Sequence, residues 1–211
     1  MSDASPAKPA PEAAAAGPKG GGVSGVGAVA LGLFIIIGGG LVFGFASSLW
    51  PAIAAQGEAA CRPLDPLKRE GPAPTWTLQD LQGNTVRLED FRGKFLVINF
   101  WATWCEPCIG EWPQVDRLAE RLADRDDVVV LAISIDKARE DIAPFLERMS
   151  LSGTQVKVLW DPEQAINKAY GSEKIPDTFF VGRDGELLHA YVNVRDWGKP
   201  AAFRCVASMA D

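Results

Sequence analysis

An apolar run, Phe95-Leu96-Val97-Ile98-Asn99-Phe100-Trp101, leads after three residues into Cys105-Glu106-Pro107-Cys108 and then into a segment with apolar residues at Ile109, Trp112, Val115, Leu118 and Leu122. The first stretch has the length and composition of a strand buried on both faces, and the second has the spacing of an amphipathic helix. A buried strand that turns directly into a helix points to an α/β architecture. The two cysteines sit at the turn, with Cys105 at the helix start and Cys108 one turn in.

That position suits reversible dithiol chemistry. A free thiol with a pKa near ~8.5 is little ionised at neutral pH, yet the thiolate is the nucleophile. A helix N-terminus stabilises an anion by roughly 0.3–1 kcal/mol, less than the ~1.4 kcal/mol that makes one pKa unit. Contacts inside the motif must supply the rest. On this reading Cys105 is the exposed attacking thiol and Cys108 the shielded resolving thiol. A zinc knuckle would need two more ligands at short spacing. The chain has one histidine, His189, and its remaining cysteines, Cys61 and Cys205, stand singly. No metal and no cofactor is expected, and His189, in a strand-like stretch, is read as structural.

Composition divides the chain. Residues 1–22 are rich in Ala, Pro and Gly and read as a disordered tail. Residues 23–50 carry no charge and exceed the ~20 residues that cross a bilayer, so they read as a transmembrane anchor. Small residues around Ala46-Ser47-Ser48 leave cleavage open. Lys8 and Lys19 before the span and Arg62, Lys68 and Arg69 after it do not fix its orientation. Residues 51–70, with Pro63 and Pro66, read as a linker, and 71–211 as one folded domain. A net charge of −6 without a basic stripe argues against nucleic acid as a partner.

Within that domain Trp76-Thr77-Leu78 and Thr85-Val86-Arg87-Leu88 flank Gly83-Asn84 as a hairpin. Strands follow at Phe95–Trp101, at 128–135 and at 156–160, then a hairpin of 178–181 with 187–192 around Asp184-Gly185. Helices are expected after the dithiol, at 138–149, at 162–170 and at about 198–208.

This order resembles the thioredoxin fold. The fold class expected is α/β, thioredoxin-like, with an N-terminal hairpin extension and one preceding transmembrane helix. From about Gly71 onward the chain is similar to the membrane-anchored TlpA/ResA-like thiol-disulfide oxidoreductases. The resemblance is carried by Val97 through Cys108 with Glu111 and Pro113, and by the opening Ala73-Pro74-Thr75-Trp76-Thr77-Leu78 with Gly83 and Gly93-Lys94. Tyr170-Gly171 and Ile175-Pro176-Asp177-Thr178-Phe179-Phe180 look like the family's proline loop.

The resemblance implies a cis Ile175–Pro176 bond facing the dithiol, with the Ile175 backbone free to pair with an extended client chain. Asn99 stands where ordinary thioredoxins carry a buried aspartate. Glu111, one turn after Cys108, is therefore the expected proton acceptor for the shielded thiol, with a raised pKa if buried. Trp101 and Trp104 are expected to line the client-facing surface beside Pro107. Glu106 should oppose thiol ionisation and favour a reductant, with a potential nearer ~−270 mV than ~−120 mV. Cys61 and Cys205 could be bridged, free or bonded between molecules.

The implied function is a protein-disulfide reductase at the bacterial inner membrane, its domain on the periplasmic or extracytoplasmic side. Two spare cysteines suit such an oxidising compartment. Its partners would be disulfide-containing client proteins, among them apocytochromes c or copper-site proteins of oxidases, and a membrane thiol carrier as electron donor. A copper chaperone would want wider cysteine spacing and a histidine near Pro176. A thiol peroxidase would arrange proline and threonine differently ahead of its cysteine.

Overall fold

The computed structural model describes residues 38–45 and 57–211. The expected tail at 1–22 and most of the expected anchor at 23–50 lie outside the described residues. Residues 38–45 are helical, with Leu41, Val42, Phe43 and Phe45 exposed. No helix among the described residues is long and apolar enough to cross a membrane.

From residue 57 onward the chain builds one eight-stranded sheet. Its strands are β1 (Leu67–Lys68), β2 (Thr77–Asp80), β3 (Thr85–Arg87), β4 (Phe95–Trp101), β5 (Val128–Ser134), β6 (Lys157–Trp160), β7 (Asp177–Val181) and β8 (Leu187–Val192). Helices α1 (Glu106–Arg121), α2 (Ile142–Arg148), α3 (Ala165–Ala169) and α4 (Pro200–Ala210) accompany them. The spatial order is β1-β8-β7-β4-β5-β6-β2-β3. β4 pairs parallel with β5 and antiparallel with β7, and β5 pairs parallel with β6.

All seven residues of β4 are buried. Because side chains alternate along a strand, Phe95, Val97 and Trp101 join the core beneath α1, α2 and α4, with Trp112, Leu118, Phe145 and Val206. Leu96, Ile98 and Phe100 join the opposite core with Trp76, Val86, Phe91, Tyr170 and Phe179. The expected hairpin extension is β2–β3, in register Leu78↔Val86, and it closes one end of the sheet by pairing β2 with β6. Its turn is held by the Asp80 carboxylate, which accepts from the amides of Gln82 and Asn84 and from the Asn84 side chain. Gly83 takes the left-handed conformation there, φ +86°.

Two expected boundaries move. The helix after β6 begins at Ala165 rather than Pro162, because the Asp161 carboxylate accepts the amides of Ala165 and Ile166 and so starts it there. The helix after β5 opens as a 3₁₀ turn, Arg139–Asp141.

A larger correction concerns residues 51–70. The described part of this expected linker, 57–70, belongs to the folded domain. Residues 57–61 are helical, Arg62–Leu64 form a 3₁₀ turn with Leu64 buried, and β1 pairs with β8 at Leu67↔Ala190 and Lys68↔His189. Cys61 is bonded to Cys205 of α4, and both are fully buried. The prolines mislead because Pro63 lies in the first turn of a helix, where its missing N–H costs nothing, and Pro66 precedes an edge strand.

The Cys61–Cys205 bond spans a sequence separation of 144 residues, a loop worth up to about 5 kcal/mol by chain entropy. Replacing both cysteines with serine should lower the unfolding free energy by about 2–5 kcal/mol. Guanidinium unfolding with the 105–108 pair kept oxidised measures this, and an unchanged midpoint would refute it.

Candidate active site

The end of β4 and the start of α1 fix the dithiol. Between them Thr103 donates its amide (3.0 Å) and hydroxyl (2.7 Å) to the carboxylate of Asp136, just beyond β5. The same carboxylate accepts the Ser134 hydroxyl at 2.6 Å. The turn before the cysteines is therefore tied to the neighbouring parallel strand. Cys105 is the N-cap of α1, and its sulfur accepts the Cys108 amide at 3.3 Å. The two cysteines are bonded to each other, so the structure is the oxidised form.

Ile175–Pro176 is cis, and the Ile175 carbonyl oxygen lies 3.7 Å from the Cys105 sulfur. Cys105 is not the freely exposed side chain expected: 5 % of it is accessible, against 1 % of Cys108. The proline loop stands over it. Access comes from a groove of about 900 Å³ that Cys105 lines and Cys108 does not. Trp104, Glu106 and Pro107 form one part of its wall, and Lys174 and Ile175 another. Trp104 is 64 % exposed. Trp101 corrects the expectation of a second tryptophan at this surface. It is fully buried, edge-on to Trp112 at 5.0 Å and beside Phe145 at 5.4 Å. Its place on β4 aims it under α1 rather than into the groove. Pro176 is buried, next to the groove residue Ile175.

Glu111 is 1 % exposed. Its Oε1 accepts the Arg195 amide at 2.8 Å and the Trp197 indole N–H at 3.0 Å, and its Oε2 accepts Asn99 Nδ2 at 3.1 Å. Burial dominates over these three donors and pushes its pKa up to about 7. The Asn99 amide also donates to the Thr178 hydroxyl at 3.0 Å, joining β4 to β7. Asp177 is buried too. It accepts the Ser172 hydroxyl (2.7 Å) and the Asn193 amide (3.0 Å), and burial raises its carboxyl above the usual range.

Arg195, Trp197 and Thr178 were not picked out as functional from the sequence. Thr178 lies inside the recognised proline loop. Arg195 and Trp197 follow β8 in a segment with no motif, and their only signal is a tryptophan among polar residues. His189 is buried on β8, its Nδ1 3.2 Å from the Tyr191 hydroxyl, and burial lowers its pKa. No group of three or more His, Cys, Asp or Glu among the described residues is placed to hold a metal ion.

The model of the AhpC/TSA family matches residues 70–190, more than half of the chain. The chain belongs to that family. It is 33 % identical over 115 residues to the thiol-disulfide oxidoreductase ResA of Geobacillus thermodenitrificans, a match that covers 54 % of this chain and 64 % of that relative. The chain thus spans less than two thirds of the length of that relative. A Chlorobium tepidum structure assigned as a thiol:disulfide interchange protein DsbE shares 26 % identity with a TM-score of 0.61, covering 69 % of this chain and all but 1 % of the other. A thioredoxin-type solution structure from Neisseria meningitidis shares 32 % identity with a TM-score of 0.52, over 60 % of this chain and 82 % of the other. The resemblance drawn from the sequence is borne out at the level of family and fold.

Glu111 gives a signed pH test. Its carboxyl holds a proton up to about pH 7 in the folded chain, against 4.5 for the free group. The unfolded chain releases that proton first, so stability is complete below pH 4.5 and falls as pH rises through this window. The difference between wild type and Glu111→Gln should change by on the order of 3 kcal/mol across it. Denaturant unfolding of the oxidised proteins at several pH values measures this, and parallel curves would exclude a raised carboxyl.

Proposed function

We propose that the chain is a protein-disulfide reductase that uses Cys105 as nucleophile, Cys108 as resolving thiol and Glu111 as proton acceptor. The observation that carries the reading is the asymmetry of the pair. Cys105 caps a helix, accepts a backbone N–H and lines an open groove, whereas Cys108 is shut inside. The relatives named as thiol-disulfide oxidoreductases support the same chemistry.

In the reduced state the Cys105 thiolate attacks one sulfur of a client disulfide, and the client's other sulfur leaves as a thiolate and takes a proton. Glu111, ionised, removes the Cys108 proton. The Cys108 thiolate then attacks the Cys105 sulfur, expels the client's second thiolate and closes the 105–108 disulfide. Two electrons pass to the client. A carboxyl near pKa 7 is matched to proton transfer at neutral pH far better than one at 4.5. The client chain would lie extended in the groove against the Ile175 backbone beside Pro176, with Trp104, Glu106 and Pro107 as the opposite wall.

The wider setting follows the family resemblance. A single N-terminal helix at 23–50 would hold the domain on the extracytoplasmic face of a bacterial inner membrane. A membrane thiol carrier would return the electrons, and clients would include apocytochromes c or copper-site proteins of oxidases.

A Cys108→Ser variant in cells should accumulate mixed disulfides through Cys105, visible on non-reducing gels and identified by mass spectrometry. An alkylatable Cys105 with no adduct would overturn the reading. Glu111→Gln should slow exchange by about 100-fold near neutral pH. The reduction potential should fall near ~−270 mV, and a value above about −180 mV would refute a reductase.

A further inference from the structure

Two of the three hydrogen bonds that Glu111 accepts come from a loop, residues 193–197, that has no regular structure of its own. The Arg195 side chain reaches across the chain to hold that loop. Its Nε donates to the Leu64 carbonyl at 2.7 Å, its Nη1 donates to the carbonyls of Val192 (2.7 Å) and Val194 (3.0 Å), and its Nη2 lies 3.8 Å from the Asp65 carboxylate. The backbone N–H of the same residue carries Glu111. Leu64 follows Cys61 by three residues, and Cys61 is bonded to Cys205 of α4. One arginine therefore joins the bridged N-terminal segment to the buried carboxylate of the dithiol site.

We propose that Arg195 is a positioning residue for Glu111: its guanidinium, clamped on the carbonyls of Leu64 and Val192, presents the backbone N–H that Glu111 needs, and it makes the segment stapled by Cys61–Cys205 part of the active-site architecture. The catalytic meaning rests on the reading of Glu111 given above, but the placement does not. A planar fork can serve carbonyls on two elements at once, which a lysine ammonium cannot match in geometry. The charged and titratable groups bearing on Glu111 come from few directions. From the loop comes Arg195, which favours the ionised carboxylate together with the neutral Trp197 indole. From β4 comes the neutral Asn99 amide, and Cys108, one turn earlier on α1, is held in the 105–108 disulfide and carries no titrating thiol in the oxidised protein. From β7, Asp177 reaches the loop through the Asn193 amide.

The test titrates the Glu111 carboxyl directly, by NMR of the oxidised protein labelled with carboxyl-¹³C glutamate, the resonance assigned with Glu111→Gln. Loosening the backbone N–H of this residue from the carboxylate, together with loss of the guanidinium charge, should move the Arg195→Ala titration upward by about one unit. Arg195→Lys, which keeps the charge and stem, should retain most of that shift. Cys61→Ser/Cys205→Ser should move it in the same direction. An unmoved midpoint in Arg195→Ala, complete restoration by lysine, or no effect of removing the bridge would each overturn the proposal. No turnover is involved, so a protein inactive toward client disulfides could still pass, and an active one could fail. If Arg195→Ala does not fold, as judged by thermal melting, the lysine and serine variants carry the test: a shift in both supports the proposal and its absence in either overturns it.

Discussion

The burial of β4 on both faces is the constraint on which the rest of the molecule depends. A strand with seven successive buried residues must be covered from two sides, and its alternating side chains divide into two cores. It must also be paired on both edges, which β5 and β7 do. This fixes the chain direction at Trp101, so the turn to α1 falls where β5 can anchor it through Asp136. The same strand carries Asn99 inward to Glu111. The dithiol and the buried carboxylate are thus placed by β4 and the helix that follows it, the more precise arrangement for a site.

Much of this was legible in the chain. The β4–dithiol–α1 unit announces itself because hydrophobic period changes at the cysteines, and the hairpin around Gly83 because turn chemistry is local. The proline loop was legible through resemblance. What escaped is non-local. Trp101 looks like a neighbour of the dithiol in sequence, yet strand alternation sends it beneath α1 to Trp112. Residues 57–70 carry proline and charge, the usual marks of a linker, and only pairing with β8 and the bond to Cys205 give them a place. Arg195 and Trp197 are 84 and 86 residues from Glu111. No spacing rule reaches that far.

The carboxylate and the dithiol divide the energetics between them. Burying Glu111 opposes its ionisation, and three donors offset only part of that effect, leaving a group poised near neutrality. The raised carboxyl carries some loss of folded-state stability at neutral pH.

The short strand β1 has a further role. β8 is six residues long, and without a neighbour its outer edge would present unpaired amides and carbonyls. Beyond the two residues of β1 the same edge is covered by Arg69, whose amide donates to the Leu188 carbonyl, by Gly71, whose carbonyl accepts the Leu187 amide, and by a bridge between Pro72 and Glu186. The sulfur–sulfur bond to α4 keeps them seated, so a tug through the residues upstream meets a covalent stop at Cys61 before it can peel the strand away. The bridged segment thereby covers the sheet edge against annealing with another chain.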